Sequence, residues 1–131
     1  MIRPSLAIFL IALTSAVALS AALACATTSA SHWQNIPAKD HARPNPLAGQ
    51  PQAIAAGALL YRDHCKQCHQ VNAQGDGHKR PSLRSQEIRS LSDGDLEWFL
   101  RQGDLRHGMP TWSSLPQTQR WQLIAYLRSI Q

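Results

Sequence analysis

With 131 residues and a net charge of +5, the chain has room for one small folded unit, which excludes a multidomain enzyme. Apolar residues make up 44% of the whole, yet 19 of them fall in the first 25 positions and only 38 in residues 26–131. A core that poor commonly supplies only about 3–5 kcal/mol and needs a covalent or metal staple. Apart from Arg3, the basic residues are scattered from Lys39 to Arg128 without a run, so nucleic acid is not indicated as a partner.

Arg3 is followed by an uncharged run whose apolar centres are residues 6–13 and 16–24, and residues 1–25 read as a secretory signal peptide. Ala22-Leu23-Ala24 offers a small-x-small cleavage site. The next residue, Cys25, resembles the acceptor of a bacterial lipoprotein signal, with Ala where Leu is commoner. The competing reading is an uncleaved anchor, since roughly 20 apolar residues span a bilayer. Both readings export the domain, to a periplasm, and confine any membrane attachment to a lipid at Cys25 or to the uncleaved signal. Residues 26–51 carry Pro37, Pro44, Pro46 and Pro51 among polar side chains and read as a tether. About 25 residues at roughly 3.1 Å each would let the domain range some 75 Å from a lipidated Cys25. On the other reading of this stretch, Trp33 and Ile36 anchor it on a partner or back on the domain.

Over residues 53–64, Ile54, Ala58 and Tyr61 share one face beside Gly57, and the spacing predicts an amphipathic helix with Tyr61 and Leu60 inward. It runs straight into Cys65-Lys66-Gln67-Cys68-His69. C-x-x-C-H is the attachment motif of c-type haem: two thiols add to the two porphyrin vinyl groups, and the adjacent imidazole is offered to the iron. A thioredoxin-like pair would need a βαβ frame, but residues 26–131 hold one Val, Val71, five Ile and no alternating apolar run. A structural zinc site would need a second ligand pair at finger-like spacing, and none follows. Gly75-Asp76-Gly77 marks a turn in the loop up to Arg80.

Ser92 with Asp95 predicts a helix start, Leu96, Phe99 and Leu100 its apolar face, and Gly103 its stop. A low-spin haem needs a second axial ligand, and Met109 is the one methionine besides the initiator. Its setting, Gly108-Met109-Pro110, suits a loop that aims a side chain at iron. His107 is the nearest rival, and Trp112 is close enough to line the same pocket. Pro116 suits a helix first turn. Beyond it, Trp121, Ile124, Ala125 and Arg128 form one stripe and Leu123, Tyr126, Leu127 and Ile130 the next, predicting a helix to the carboxyl terminus.

On these residues, Cys65 to His69, Met109 with its flanking Gly and Pro, and Leu123 to Leu127 in the last helix, the chain resembles the bacterial class I (monohaem) cytochromes c over about residues 52–131. The resemblance implies an all-α fold of three to four helices wrapped around one covalently attached haem c, with His69 and Met109 as axial ligands. It also implies that the Pro81 carbonyl holds the His69 ring, fixing its orientation and raising its basicity. The first and last helices are then expected to cross where Gly57 and Tyr61 meet Leu123 and Tyr126. The haem-binding residues expected are therefore Cys65, Cys68, His69, Met109, Pro81 and Trp112, with His69 and Met109 on the metal. The implied activity is electron transfer, not enzymic turnover, serving a redox partner such as a dehydrogenase, an oxidase or a membrane respiratory complex. A different class, a peroxidase-like haem enzyme or a gas sensor, would need an open iron position.

Overall fold

The computed structural model describes residues 35–131; the signal segment, Cys25 and Trp33 lie outside the described residues. Three longer helices fall where the apolar spacing places them: α2 (Pro51–His64), α5 (Asp93–Gln102) and α6 (Gln117–Ser129). Between and before them are three short ones, α1 (Ala38–His41), α3 (Lys66–His69) and α4 (Gln86–Ser90), and a 3₁₀ turn at Leu105–His107. Among the described residues the only β pairing is an isolated bridge between Asp104 and Met109. No described helix is long and apolar enough to cross a membrane.

The boundaries have local causes. Pro51 opens α2, where its missing N–H costs no helical bond. At α5 the Ser92 hydroxyl accepts from the Asp95 N–H at 3.1 Å, and the Asp95 carboxylate accepts from the Ser92 N–H at 2.8 Å. That reciprocal cap satisfies two otherwise orphaned donors. Gly103, with φ 66°, ends the helix. Pro116 sits at the cap of α6, one place before the first turn.

The crossing of α2 and α6 organises the core. Gly57 lies against the backbone of Gln122, and a β-carbon there would come within 2.0 Å of the Gln122 carbonyl oxygen. Beside it the Tyr61 and Tyr126 rings are 5.3 Å apart. The buried stripe of α2 is Ala53, Gly57 and Tyr61, so Ile54 and Ala58 are half-buried where the spacing had them innermost. Leu60 is also half-buried. The close approach at Gly57 fixes which residue faces the partner helix. Tyr61 then joins Ile88, Leu96, Leu100, Trp121, Leu123, Ile124 and Leu127 in one apolar cluster.

The tether expected over residues 26–51 is corrected from Pro37 onward, because this stretch is a strap fastened to α5 and α6. Asp40 is buried and accepts from Arg101 at 2.7 Å. The Ser92 hydroxyl donates to the His41 carbonyl at 2.8 Å, and His41 Nδ1 is 2.9 Å from the Asp95 carboxylate. Asn45 donates to the Trp121 carbonyl at 2.9 Å while its own side-chain oxygen accepts from the Leu47 N–H. Gly94, lacking a β-carbon, admits the Asp40 carbonyl. Below the strap, Glu97 is fully buried and accepts from Arg43, Arg101 and Arg120. Asp40, His41, Arg43 and Asn45 are thus specific partners for two helices, and buried charge of this kind is retained only when paired.

Candidate cofactor site

Where α2 ends, Cys65 caps α3, and the His69 N–H donates to the Cys65 carbonyl at 2.9 Å. One helical turn therefore carries both thiols and the imidazole. Neither cysteine is in a disulfide. The Cys65 thiol is pushed up to about 12, first by burial and then by neighbouring Cys68. His69 is 8% exposed, and its Nδ1 donates to the Pro81 carbonyl at 3.2 Å. That bond commits the proton to Nδ1 and leaves Nε2 as the free lone pair. Burial holds the ring below the ordinary histidine range; the Pro81 carbonyl opposes this, and the charge of Arg80 adds to it. A neutral imidazole is the ligand form.

Met109 comes from a turn built independently of α3. Asp104 and Met109 exchange backbone hydrogen bonds of 2.8 Å each, closing the 3₁₀ turn between them. Gly108 takes a left-handed conformation, φ 79° and ψ 18°. The far end is tied back to α5: the Trp112 N–H donates to the Leu100 carbonyl at 2.8 Å, and the Thr111 hydroxyl to the Arg101 carbonyl at 2.6 Å. Gly103 allows Pro110 to approach so closely that a β-carbon would meet the Pro110 backbone at 2.6 Å.

These segments enclose a cavity of about 580 Å³, and all six residues singled out from the sequence, Cys65, Cys68, His69, Pro81, Met109 and Trp112, line it. The volume is in the range of small-molecule and cofactor pockets, roughly 300–1,000 Å³. Leu83, Ile88, Leu96, Leu100, Leu123 and Leu127 make its apolar walls. Trp112 also packs on His64, with ring centroids 5.1 Å apart. His107, the rival ligand, has a side chain 71% exposed and hydrogen-bonded to Asp104. Trp98 and Trp121 are not among its walls.

The donor set fits haem c: two thiols on one turn for attachment, a buried imidazole with its outer nitrogen held, a thioether from a separate loop, and apolar walls for a flat macrocycle. Among the described residues no group of three or more His, Cys, Asp or Glu gathers to hold a bare metal ion. Arg80 is a lining residue that sequence reasoning missed; its place next to Pro81 was the available signal. Leu96, Leu100, Leu123 and Leu127, expected on the apolar faces of their helices, also serve as walls.

An all-α domain with this cavity belongs to the c-type cytochromes, proteins whose haem transfers electrons. The family model described as cytochrome C oxidase, cbb3-type, subunit III matches residues 52–127, more than half of the chain. The chain belongs to that family of monohaem class I cytochrome c domains. No curated protein matches it significantly.

Proposed function

We propose that this protein is an exported single-haem cytochrome that passes single electrons between redox proteins, with Cys65 and Cys68 as thioether attachment points and His69 and Met109 as axial ligands. Haem c, when bound, supplies an iron that gains or loses one electron. The observation that carries the reading is the His69 Nδ1 bond to Pro81 within a cavity that Met109 also lines. His69 is thereby held in one tautomer and one orientation, and its buried ring stays neutral. Met109, fixed at both ends of its turn, would offer the iron a soft sulfur that favours the reduced state and raises the potential relative to a second imidazole. Leu83, Ile88, Leu96, Leu100, Leu123 and Leu127 present apolar surface to the cavity, so little solvent would have to reorganise when charge changes. With both positions so held, the iron would have no open site at which to make or break a bond of a substrate.

The family description supports a partner within a respiratory oxidase complex. The signal-like residues 1–25 support a periplasmic location, and Cys25, if lipidated, a membrane-held form. The test is the absorption spectrum of the haem-loaded protein in both oxidation states. The weak far-red band of thioether ligation to ferric iron is expected, with its loss in Met109→Ala. A high-spin spectrum that shifts with carbon monoxide would replace electron transfer by open-iron chemistry.

A further inference from the structure

We infer that Arg80 is a positioning residue, a latch across the cavity that ties the Met109 turn to the loop holding His69. The inference rests on the electron-transfer reading above. Arg80 is gripped at both backbone atoms: its N–H donates to the Asp76 side chain at 2.9 Å, and its carbonyl accepts from the Asp76 N–H at 3.2 Å. Gly75 makes this possible, since a β-carbon there would lie 2.1 Å from the Arg80 carbonyl oxygen. The following residue, Pro81, has a restricted φ and gives its carbonyl to His69. The Arg80 side chain therefore leaves from a rigid base.

Its guanidinium reaches the other ligand loop, with Nη1 3.5 Å from the Gly108 carbonyl oxygen. Gly108 is suited to receive it, because a β-carbon at that position would sit 3.3 Å from the same nitrogen, tighter than ordinary contact. The bonds of Thr111 and Trp112 tie the Met109 loop to α5, whereas Arg80 ties it to the His69 side of the cavity. One side chain thus connects the loop that orients the imidazole with the loop that presents the thioether. The guanidinium belongs to a residue that lines the cavity, so its charge would also oppose the extra positive charge of an oxidised centre.

Competition by imidazole for the ferric haem protein, followed through the far-red band, tests the latch. Imidazole must displace Met109, so a looser Met109 turn yields at lower concentration. Arg80→Ala is expected to lose the band at an imidazole concentration roughly two- to threefold lower than the parent, the low end of a hydrogen bond's net worth because the contact is long and exposed. Its reduction potential should fall, and Arg80→Lys should restore most of both. The exposed Arg84→Ala removes an equal charge nearby and should leave displacement unchanged. If Arg80→Ala does not take up haem, Arg80→Gln carries the same comparison. Unchanged displacement overturns the latch, even if the potential moves, because Arg80 would then act as a charge alone. Absence of the band from the unsubstituted protein overturns the Met109 reading and the latch together, which separates that failure from failure of the latch alone.

Discussion

Replacing Gly57 by alanine should destabilise the protein although alanine is the better helix former, and the sign of the effect is what makes it informative. In an exposed helix the change would gain up to about 1 kcal/mol. Here the new β-carbon would stand 2.0 Å from the Gln122 carbonyl oxygen, 2.6 Å from its carbon and 2.8 Å from the Tyr126 β-carbon. Ordinary contact begins near 3.4 Å, so α2 and α6 must part locally by about 1.4 Å. The obstacles are a peptide group and a β-carbon, neither of which can swing away as a long side chain would. Overpacking in a close-packed core costs about 1–3 kcal/mol and occasionally more. With no room to yield, the upper end applies, and about 2 kcal/mol remains after the propensity gain. For a domain of this size that lowers Tm by roughly 8–16 °C. Thermal unfolding of the haem-loaded protein by far-ultraviolet circular dichroism measures it, with the far-red band as a control that the ligands are untouched. A Tm at or above that of the parent would refute the crossing as described.

Other substitutions probe the strap and the loop. Glu97→Gln removes the anion from beneath Arg43, Arg101 and Arg120 and leaves the buried Arg120 poorly matched; a loss of about 3 kcal/mol is expected in urea unfolding. Asn45→Ala gives up the bonds to the Trp121 carbonyl and the Leu47 N–H and should cost about 1–2 kcal/mol by the same assay, with an unchanged spectrum. The Asp76 carboxyl is held below the usual carboxylate range, first by the Arg80 N–H and then by that of His78. A depressed carboxylate supports its loop at neutral pH and lets go as pH falls through its lowered value. Protection of the His78, Lys79 and Arg80 amides, taken relative to the intrinsic exchange rate at each pH, should therefore hold at neutral pH and be lost as pH falls through that lowered value, whereas in Asp76→Ala it should be weak throughout.

Much of the site was legible because its chemistry is local. Cys65, Cys68 and His69 share one turn, and Ser92 with Asp95 spans one capping box; such patterns depend on short-range geometry that sequence spacing encodes. Met109 stood out because the chain has no other candidate thioether past its first residue. Pro81 was reachable only through family resemblance, since nothing in its own neighbourhood announces that its carbonyl meets an imidazole 12 residues earlier. What stayed hidden was long-range and polar. Arg43 meets Glu97 across 54 positions and Asn45 meets Trp121 across 76. Polarity along a sequence does not distinguish a side chain facing water from one facing a buried partner, so residues 37–50 read as linker. Within α2, helical periodicity located the buried face to within one residue, and the choice between Ala53 and Ile54 was made by Gly57 at the crossing.

The strap also bears on how portable this domain is. The family match begins at residue 52, but packing onto α5 and α6 reaches back at least to Asp40, because Asp40, Arg43 and Asn45 hold partners there. A chimaera spliced at the family boundary would inherit Glu97 without Arg43, Arg101 without Asp40 and a Trp121 carbonyl without its donor. Those three deficits fall on the helices that line the cofactor cavity, so the natural joint for grafting this module onto another chain lies ahead of Pro37.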